Sequence, residues 1–185
     1  MMSKLQKKVY EPLSDLDMHK ALPDVPILTY EELGKYESIE QLLPAKRDAV
    51  IIFIELAEGV GHWACIMRSE NNIMYFCSYG TRVDKSIKMW LTAIKRREFG
   101  QDVPFMSYLF NRAIDDGYSV SFNSVCYQNK KDSSVSTCGR WVIERIKWNM
   151  EQKNNSPQAF YKYIKKYSKD HELNYDLSIC QLVPI

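Results

Sequence analysis

The chain has 185 residues, of which 45% are hydrophobic and 26% are charged, and its formal net charge at pH 7 is +2. This length favours a single domain with a full hydrophobic core, and a charge this small does not indicate a protein dedicated to nucleic-acid binding. The longest apolar run, residues 49–54, is too short to cross a bilayer, and the polar residues 1–8 lack the apolar segment of a secretory signal.

The cysteines indicate the redox setting of the chain. There are five of them, an odd number, and no two have C-x-x-C spacing. This pattern favours free thiols in a reducing compartment over a zinc site or a disulfide framework. Cys65, Cys126 and Cys180 are interpreted as small buried residues. A cysteine nucleophile would remain reduced in such a compartment.

The N-terminal part of the chain is predicted to place short helices before three strands. Residues 1–25 are interpreted as an arm or a short helix that packs on the body, with a proline-containing connector at its end. Thr29 and Ser38 each begin a short helix with a capping sequence. Alternating and β-branched runs then predict three strands, of which the first is buried on both faces. These strands are residues 48–55, 62–67 and 73–79.

The middle of the chain is predicted to contain two helices and a fourth strand. The apolar spacing predicts one helix from Lys85 that continues through Ile94. A second helix is expected between Asp102 and Asp116, where proline and glycine mark its ends. Residues 118–127 alternate in the manner of a strand.

The C-terminal part is predicted to be helical, and it completes the fold class. One helix is expected from Cys138 to about Gln152, with Met150 on its inward face. Ser156 caps the next helix, and residues 173–185 are interpreted as strand or coil. Together these elements predict one α+β domain over residues 1–185, with a mixed, mostly antiparallel central sheet flanked by helices.

Cys138 is the first candidate for chemistry. A loop of small hydroxyl residues, 133–137, runs into this cysteine, and an apolar-periodic helix starts at once. A thiol in the first turn of a helix faces unpaired backbone N–H groups and the positive end of the helix dipole, and both stabilise a thiolate. Gly139 leaves room beside the sulfur for another backbone to approach.

The second candidate is His62, one of three histidines. His19 and His171 lie in polar stretches and are interpreted as solvated residues, whereas His62 opens a strand that looks buried. If residues 69–72 form the hairpin turn, His62 lies opposite Tyr79. Cys77 then becomes a diagonal neighbour of His62 on the same face, where a nucleophile–His–acid triad would have its acid.

Four local sequences stand in a set order along the chain, namely Gly61-His62-Trp63, Tyr75–Gly80, Gln128 and Ser136–Gly139. In order and in local sequence they resemble the adenovirus-type and SUMO-protease-type cysteine proteases, and most of all the maturation proteases of virophages, polinton-like elements and large DNA viruses. The resemblance covers roughly residues 25–150. It implies a papain-like, adenovirus-protease-like fold with the nucleophile at the N-terminus of a core helix.

The resemblance implies a role for each matching residue. Cys138 would be the nucleophile and His62 the general base, while Gln128 and the backbone N–H of Cys138 would donate to the oxyanion. Trp63 would wall a narrow passage, with Gly139 beside it, that admits only small residues before the cleaved bond. Cleavage after Gly-Gly or Gly-X-Gly is therefore expected. The same Trp63 also fits an ordinary core aromatic residue.

Two departures from the family pattern leave alternatives open. Cys77 stands where the family usually has Asp or Glu, so the site is a Cys–His dyad, uses an acid from elsewhere such as Asp84, or is a weakened enzyme. A dyad can still work, because a thiol ionises far more easily than a serine hydroxyl. Gln128 also lies ten residues before Cys138, a longer gap than in the adenovirus and SUMO enzymes, and Asn129 is the alternative donor.

The leading functional expectation is a cysteine endopeptidase that cuts viral capsid or core precursors during virion maturation, in the virion and in the host-cell cytoplasm or virus factory. The alternatives are an isopeptidase for a SUMO-type modifier and a protease-like binding module. No metal or obligatory cofactor is expected, although a DNA or peptide activator remains an alternative, since adenovirus-type proteases use DNA. The expected partners are protein substrates, with a weak nucleic-acid contact conceivable. The chain is expected to be a monomer that does not bind membranes.

Overall fold

A single five-stranded sheet forms the centre of the computed structural model, which describes residues 2–44, 48–154 and 156–185. Met1, residues 45–47 and Asn155, which belong to the expected domain and its arm, lie outside these ranges. The strands follow one another in sequence order across the sheet. They are β1 (Ile27–Thr29), β2 (Ala49–Ala57), β3 (Val60–Ser69), β4 (Asn72–Cys77) and β5 (Ser119–Phe122).

The sheet is mixed. Strands β2, β3 and β4 pair antiparallel as a meander, whereas β1 and β5 pair parallel to their neighbours at the two edges. Helices flank this sheet, so the predicted α+β class with a mostly antiparallel centre is confirmed. Strand β1 was not predicted, because three residues behind a pair of prolines resemble a connector.

The helices lie on both faces of the sheet, together with a 3-10 helix over Glu31–Lys35. One face carries α2, α7, α8 and α9, and the other carries α3, α4 and α6. Their bounds are α1 (Lys4–Lys8), α2 (Asp15–Ala21), α3 (Ile39–Leu42), α4 (Val83–Trp90), α5 (Ala93–Glu98), α6 (Phe105–Asp115), α7 (Cys138–Gln152), α8 (Pro157–Asp170) and α9 (Tyr175–Leu182).

Strand β2 shows why the sheet needs cover on both faces. Ile51 packs into the core under α7, while Val50 and Ile52 pack into the core under α3, α4 and α6. All three side chains have no exposed surface. A continuous β-branched run therefore marks a doubly covered strand, as predicted for these residues.

Two predictions about helix ends were wrong, and each has a capping residue as its cause. The helix expected through Ile94 ends at Trp90, because the Thr92 side chain accepts a hydrogen bond from the backbone N–H of Lys95 and starts a new helix. Ile94 is consequently 75% exposed. The tail expected as strand or coil forms α9, whose cap is Asn174.

Two predictions about burial were also wrong. Met150, expected on the inward face of α7, is 39% exposed near the end of that helix. Cys126, expected to be buried, lies exposed in the loop after β5, and its Sγ donates to the carbonyl of Gln128. An irregular loop has no periodicity from which the direction of a side chain could be predicted.

The β3–β4 hairpin has the register expected from its turn. Arg68 pairs with Ile73 at one end of the ladder, and Ala64 pairs with Cys77 at the other. Beyond that pair the chain turns at Gly80, which has φ of 65° and donates its N–H to the Cys77 carbonyl at 2.8 Å. A Cβ at Gly80 would lie 2.6 Å from the carbonyl oxygen of Val125, so only glycine fits.

Candidate active site

Cys138 is the first residue of α7, as expected for a nucleophile at the start of a core helix. Thr137 does not cap this helix, because its hydroxyl donates to Asp176 at 2.6 Å. Burial acts to raise the pKa of the Cys138 thiol, but the charge of His62, a hydrogen bond from it and the backbone N–H groups of Trp63 and Gly139 outweigh burial and lower that pKa. The site therefore favours the thiolate.

His62 lies near the start of β3, buried with 3% of its surface exposed. Its Nε2 is 3.3 Å from Sγ of Cys77, so the face-sharing neighbour predicted from the hairpin is in contact. Two aromatic rings also pack on the imidazole. The Tyr79 ring is stacked on it, and the Trp90 ring meets it at a steep angle.

Cys77 occupies the position expected for the triad acid. Burial raises the pKa of its thiol, although N–H groups of Tyr79 and Thr81 act in the opposite direction. A buried thiol with a raised pKa stays neutral at physiological pH, so it cannot supply the negative charge of a carboxylate. His62 thus contacts a polar but uncharged partner.

The alternative acid, Asp84, is engaged elsewhere. Its carboxylate accepts hydrogen bonds from the Tyr30 hydroxyl and, at the start of α6, from the backbone N–H of Ser107 at 2.8 Å. Glu70 lies exposed at the far turn of the hairpin. These contacts leave neither carboxylate beside His62, and the interpretation with Asp84 as a substitute acid is therefore wrong.

Gln128 lines the same cavity, and both its Oε1 and its Nε2 are engaged in hydrogen bonds. Its Oε1 accepts from the Ser78 hydroxyl at 2.9 Å, and its Nε2 donates to the Tyr79 hydroxyl at 3.1 Å and to the Val135 carbonyl at 2.8 Å. Asn129, the alternative donor, does not line the cavity. Gln128 can serve an oxyanion if one of its N–H groups turns from its present acceptor.

Asp176 on α9 joins the two ends of the loop that separates Gln128 from Cys138. Its carboxylate accepts from the backbone N–H of Asn129 at 3.1 Å and from the hydroxyl of Thr137. Burial raises the pKa of Asp176. Sequence reasoning missed this residue, although Asn174 followed by an acid in the next turn is a helix-start signal that predicts α9 itself.

The wall beside the nucleophile is formed by Trp63 and the N-terminal segment. Trp63 donates its Nε1–H to the Leu13 carbonyl at 3.0 Å, and its ring lies 4.6 Å from that of Phe53. A Cβ on Gly139 would lie 3.1 Å from both Leu13 Cβ and Met18 Sδ, so glycine allows the close approach. The arm predicted at residues 1–25 packs on the body as expected, and its residues 12–15 also line the cavity beside Cys138.

These residues surround one cavity of about 960 Å³. Cys138, His62, Gln128 and Trp63 line it, whereas Cys77, which contacts His62, and Gly139, which follows Cys138, do not. Tyr79 also lines the cavity. The hairpin register placed Tyr79 opposite His62, but no role was predicted for it. The structure therefore gathers the candidate nucleophile, base, oxyanion donor and specificity residue around one space.

The described residues contain neither a cluster arranged for a metal ion nor a helix that could span a membrane. Over residues 2–44, 48–154 and 156–185, no group of three or more His, Cys, Asp or Glu side chains is arranged to hold a metal ion. In the same ranges, every helix is too short or too polar to cross a bilayer.

Comparison with known proteins relates the chain to a virophage. No protein-family model matches it. The chain is 32% identical over 143 residues to the uncharacterized protein V9 of Sputnik virophage, and the match covers 75% of this chain and 78% of that protein. The chain therefore belongs to the same family of viral proteins as V9 of Sputnik virophage.

Proposed function

We propose that the chain is a cysteine endopeptidase, with Cys138 as nucleophile and His62 as general acid and base. The observation that carries this proposal is the thiol at the start of α7, whose pKa the neighbouring His62 and backbone N–H groups lower. The two residues share a cavity large enough for a peptide segment. A lowered thiol pKa beside a histidine is typical of nucleophilic cysteines.

The proposed reaction proceeds through an acyl-enzyme. The Cys138 thiolate attacks the scissile carbonyl carbon, and the carbonyl oxygen becomes an oxyanion that accepts from Gln128 and from the backbone N–H of Cys138. His62 then gives its proton to the amine as the C–N bond breaks. Finally His62 removes a proton from water, the resulting hydroxide displaces the thiolate, and the carboxylic product leaves.

The proposed specificity is for small residues, with glycine before the cleaved bond. The Trp63 ring is fixed by Phe53 and by the Leu13 carbonyl, so it cannot swing away to admit a bulky side chain. Resemblance to adenovirus-type and SUMO-type proteases supports Gly-Gly or Gly-X-Gly sites. Membership of a virophage protein family supports viral capsid or core precursors as the substrates, and so a role in virion maturation in the virion and the host-cell cytoplasm or virus factory.

Two other functions remain candidates. Removal of a ubiquitin-like modifier would use the same chemistry and the same narrow passage. A protease-like binding module is favoured by one observation, namely that a neutral thiol at 3.3 Å replaces the acid beside His62. Such a module would not need a nucleophile with a lowered pKa.

The test is cleavage of a panel of short peptides with Gly-Gly or Gly-X-Gly before the scissile bond, under reducing conditions, with and without DNA. We expect turnover by the wild-type chain and by Cys126→Ala, which loses an exposed thiol outside the cavity. Cys138→Ala should be folded and inactive. Residual turnover in Cys138→Ala would mean that the nucleophile is wrongly assigned, and silence of the folded wild-type chain across the panel would favour the binding module.

A further inference from the structure

The His62 imidazolium lacks the partner that a triad would give it. In the proposed resting pair His62 holds the proton that Cys138 has given up, so the Cys138 thiolate is its counter-ion. His62 is 3% exposed, and burying a charged group is costly unless its surroundings compensate for the lost water. On another side of the ring, Nε2 faces the thiol of Cys77, which carries no charge to add to that compensation. The remaining contacts of the imidazole therefore also determine how stable its charge is.

Two aromatic rings occupy the space around the imidazole. The Tyr79 ring is stacked on it, with centroids 4.9 Å apart and planes at 15°. The Trp90 centroid lies 5.4 Å from it, with planes at 61°. Aromatic faces carry negative potential and attract a cation within about 6 Å of the ring centroid, more strongly where water is excluded.

We infer that the face of Tyr79, assisted by Trp90, stabilises the His62 imidazolium in place of the absent carboxylate. This inference rests on the proposed Cys138–His62 chemistry and adds the residue that sustains it without an acid. Tyr79 acts through His62, so it is a positioning residue rather than a catalytic one.

The fold holds the Tyr79 ring in this position. Gly80 closes the turn after β4 with its N–H on the Cys77 carbonyl, and the Tyr79 hydroxyl accepts from Nε2 of Gln128 at 3.1 Å. Burial raises the pKa of Tyr79 to about 12, so the hydroxyl stays protonated and the ring stays neutral at working pH. Tyr79 thereby links the general base to the oxyanion donor.

The titratable groups around His62 come from three places. Cys77 faces it from β4, Cys138 from α7, and Tyr79 from the turn after β4. Beyond them, the Lys130 ammonium lies 5.8 Å from the Tyr79 ring centroid and competes for the same ring. From α4 the neighbour is the uncharged indole of Trp90.

The test is the pH dependence of Cys138 alkylation by iodoacetate, followed on the Cys138 peptide by mass spectrometry. An anionic reagent reacts fastest with a thiolate beside an imidazolium, so the rate should be bell-shaped in pH. The acid limb reports formation of the thiolate, and the alkaline limb reports loss of the imidazolium. Removing the ring with Tyr79→Leu should move the midpoint of the alkaline limb to a pH lower by about one unit and leave the midpoint of the acid limb unchanged.

Matched variants separate the ring from the hydroxyl. Tyr79→Phe keeps the ring, so its alkaline limb should stay near that of the wild type, even if loss of the contact with Gln128 slows peptide cleavage. Tyr79→Trp should move the midpoint of the alkaline limb to higher pH, because indole attracts cations most strongly. Tyr108→Leu, which removes a tyrosine that is 60% exposed on α6, is the control and should change nothing.

Three results would overturn the inference. One is a folded Tyr79→Leu variant whose alkaline limb coincides with that of the wild type. Another is a wild-type profile with a single ordinary thiol ionisation, since no imidazolium would then exist to be stabilised. If Tyr79→Leu fails to fold, equal midpoints of the alkaline limb for Tyr79→Phe and Tyr79→Trp would contradict the inference. The alkylation profile could also shift as expected in a chain that cleaves no peptide. That result would support the inference about Tyr79 and contradict the protease proposal.

Discussion

At the scale of single residues, the environment of His62 bears on how the proposed chemistry would proceed without an acid. A serine nucleophile needs a strong base, whereas a thiol beside an imidazole ionises readily and keeps the pair charged at rest. The buried Cys77 thiol contacts Nε2 of His62 without competing for its proton, because burial raises the pKa of that thiol. Position 77 can therefore be tested by replacing the neutral thiol with a charged carboxylate.

We predict that Cys77→Asp leaves kcat/KM equal or raises it. The N–H groups of Tyr79 and Thr81 and the Thr81 hydroxyl already favour the ionised form of whatever stands at position 77, so a carboxylate would be hydrogen-bonded as well as paired with His62. The measurement is kcat/KM against pH, beside Cys77→Ala as the uncharged control. A large loss confined to Cys77→Asp would show that the thiol has a role of its own.

We predict that Gln128→Ala lowers kcat by ~100- to 1000-fold, the usual effect of losing one oxyanion donor. The substitution also removes the links to Ser78, Tyr79 and Val135, so urea unfolding has to be measured beside the kinetics. Asn129→Ala is the control, because that side chain lies outside the cavity. Equal losses in both variants would contradict the assignment of Gln128.

At the scale of elements, α9 is the unexpected contributor to the site. It lies far along the chain from the other functional segments, yet Asp176 on it fixes the loop from Gln128 to Cys138 at both ends. Because Thr137 donates to Asp176, the first N–H groups of α7 are left without a side-chain cap. One contact therefore both fixes the loop and leaves the start of α7 without a side-chain cap.

We predict that Asp176→Ala destabilises the fold by roughly 2 kcal/mol or more and lowers kcat. It leaves the backbone N–H of Asn129 and the Thr137 hydroxyl without their buried acceptor. The measurements are urea unfolding and peptide cleavage. The control is Asp170→Ala, whose carboxylate is paired with Lys166 on the exposed surface of α8. Similar losses of stability and kcat in the two variants would contradict the role of Asp176 in fixing the loop from Gln128 to Cys138.

The stability difference between the wild type and Asp176→Ala should depend on pH. Burial raises the pKa of Asp176 in the folded state above its unfolded value. The stability linked to its protonated form is fully present below the unfolded pKa, near 3.9, and is lost as pH rises through the folded pKa. The stability advantage of the wild type should therefore narrow as pH rises across that window. If the difference in unfolding free energy between the wild type and Asp176→Ala grew as pH rose, the expected direction would be contradicted.

At the scale of the whole molecule, the site lies where both cores of the sheet meet. Trp63 packs with α7 on one face, while Tyr79 and Trp90 pack on the other. The candidate nucleophile Cys138 and the candidate base His62 thus come from elements that the sheet holds together. Because the two cores share strands β2, β3 and β4, neither face can lose its packing without exposing the other.

We predict a single cooperative unfolding transition for the chain. Trp90 packs on one core, whereas Trp63, Trp141 and Trp148 pack on the other. Fluorescence of Trp90→Phe and of a variant with the other three tryptophans changed to Phe therefore reports the two faces separately. Urea midpoints from fluorescence and from far-ultraviolet circular dichroism should coincide for each variant. Two separate midpoints within one variant would contradict the expected single domain.

The sequence by itself determined the features that depend on local rules. Alternation and the turn after Ser69 determined the hairpin register, which brought His62, Cys77 and Tyr79 to one face, and helix-start chemistry identified Cys138. Local rules failed where a cap competed with apolar periodicity, as at Ile94.

Only the tertiary structure decided which remote groups complete the site. The contact between Asp176 and Thr137 spans 39 residues, and that between Trp63 and Leu13 spans 50. No spacing rule predicts such pairs, because they depend on how separate helices pack across a shared sheet. The same packing stacked Tyr79 on His62 and committed Asp84 to Tyr30. It thereby decided between the alternatives for the missing acid, because Asp84 does not replace it and aromatic rings pack on the imidazole beside Cys77.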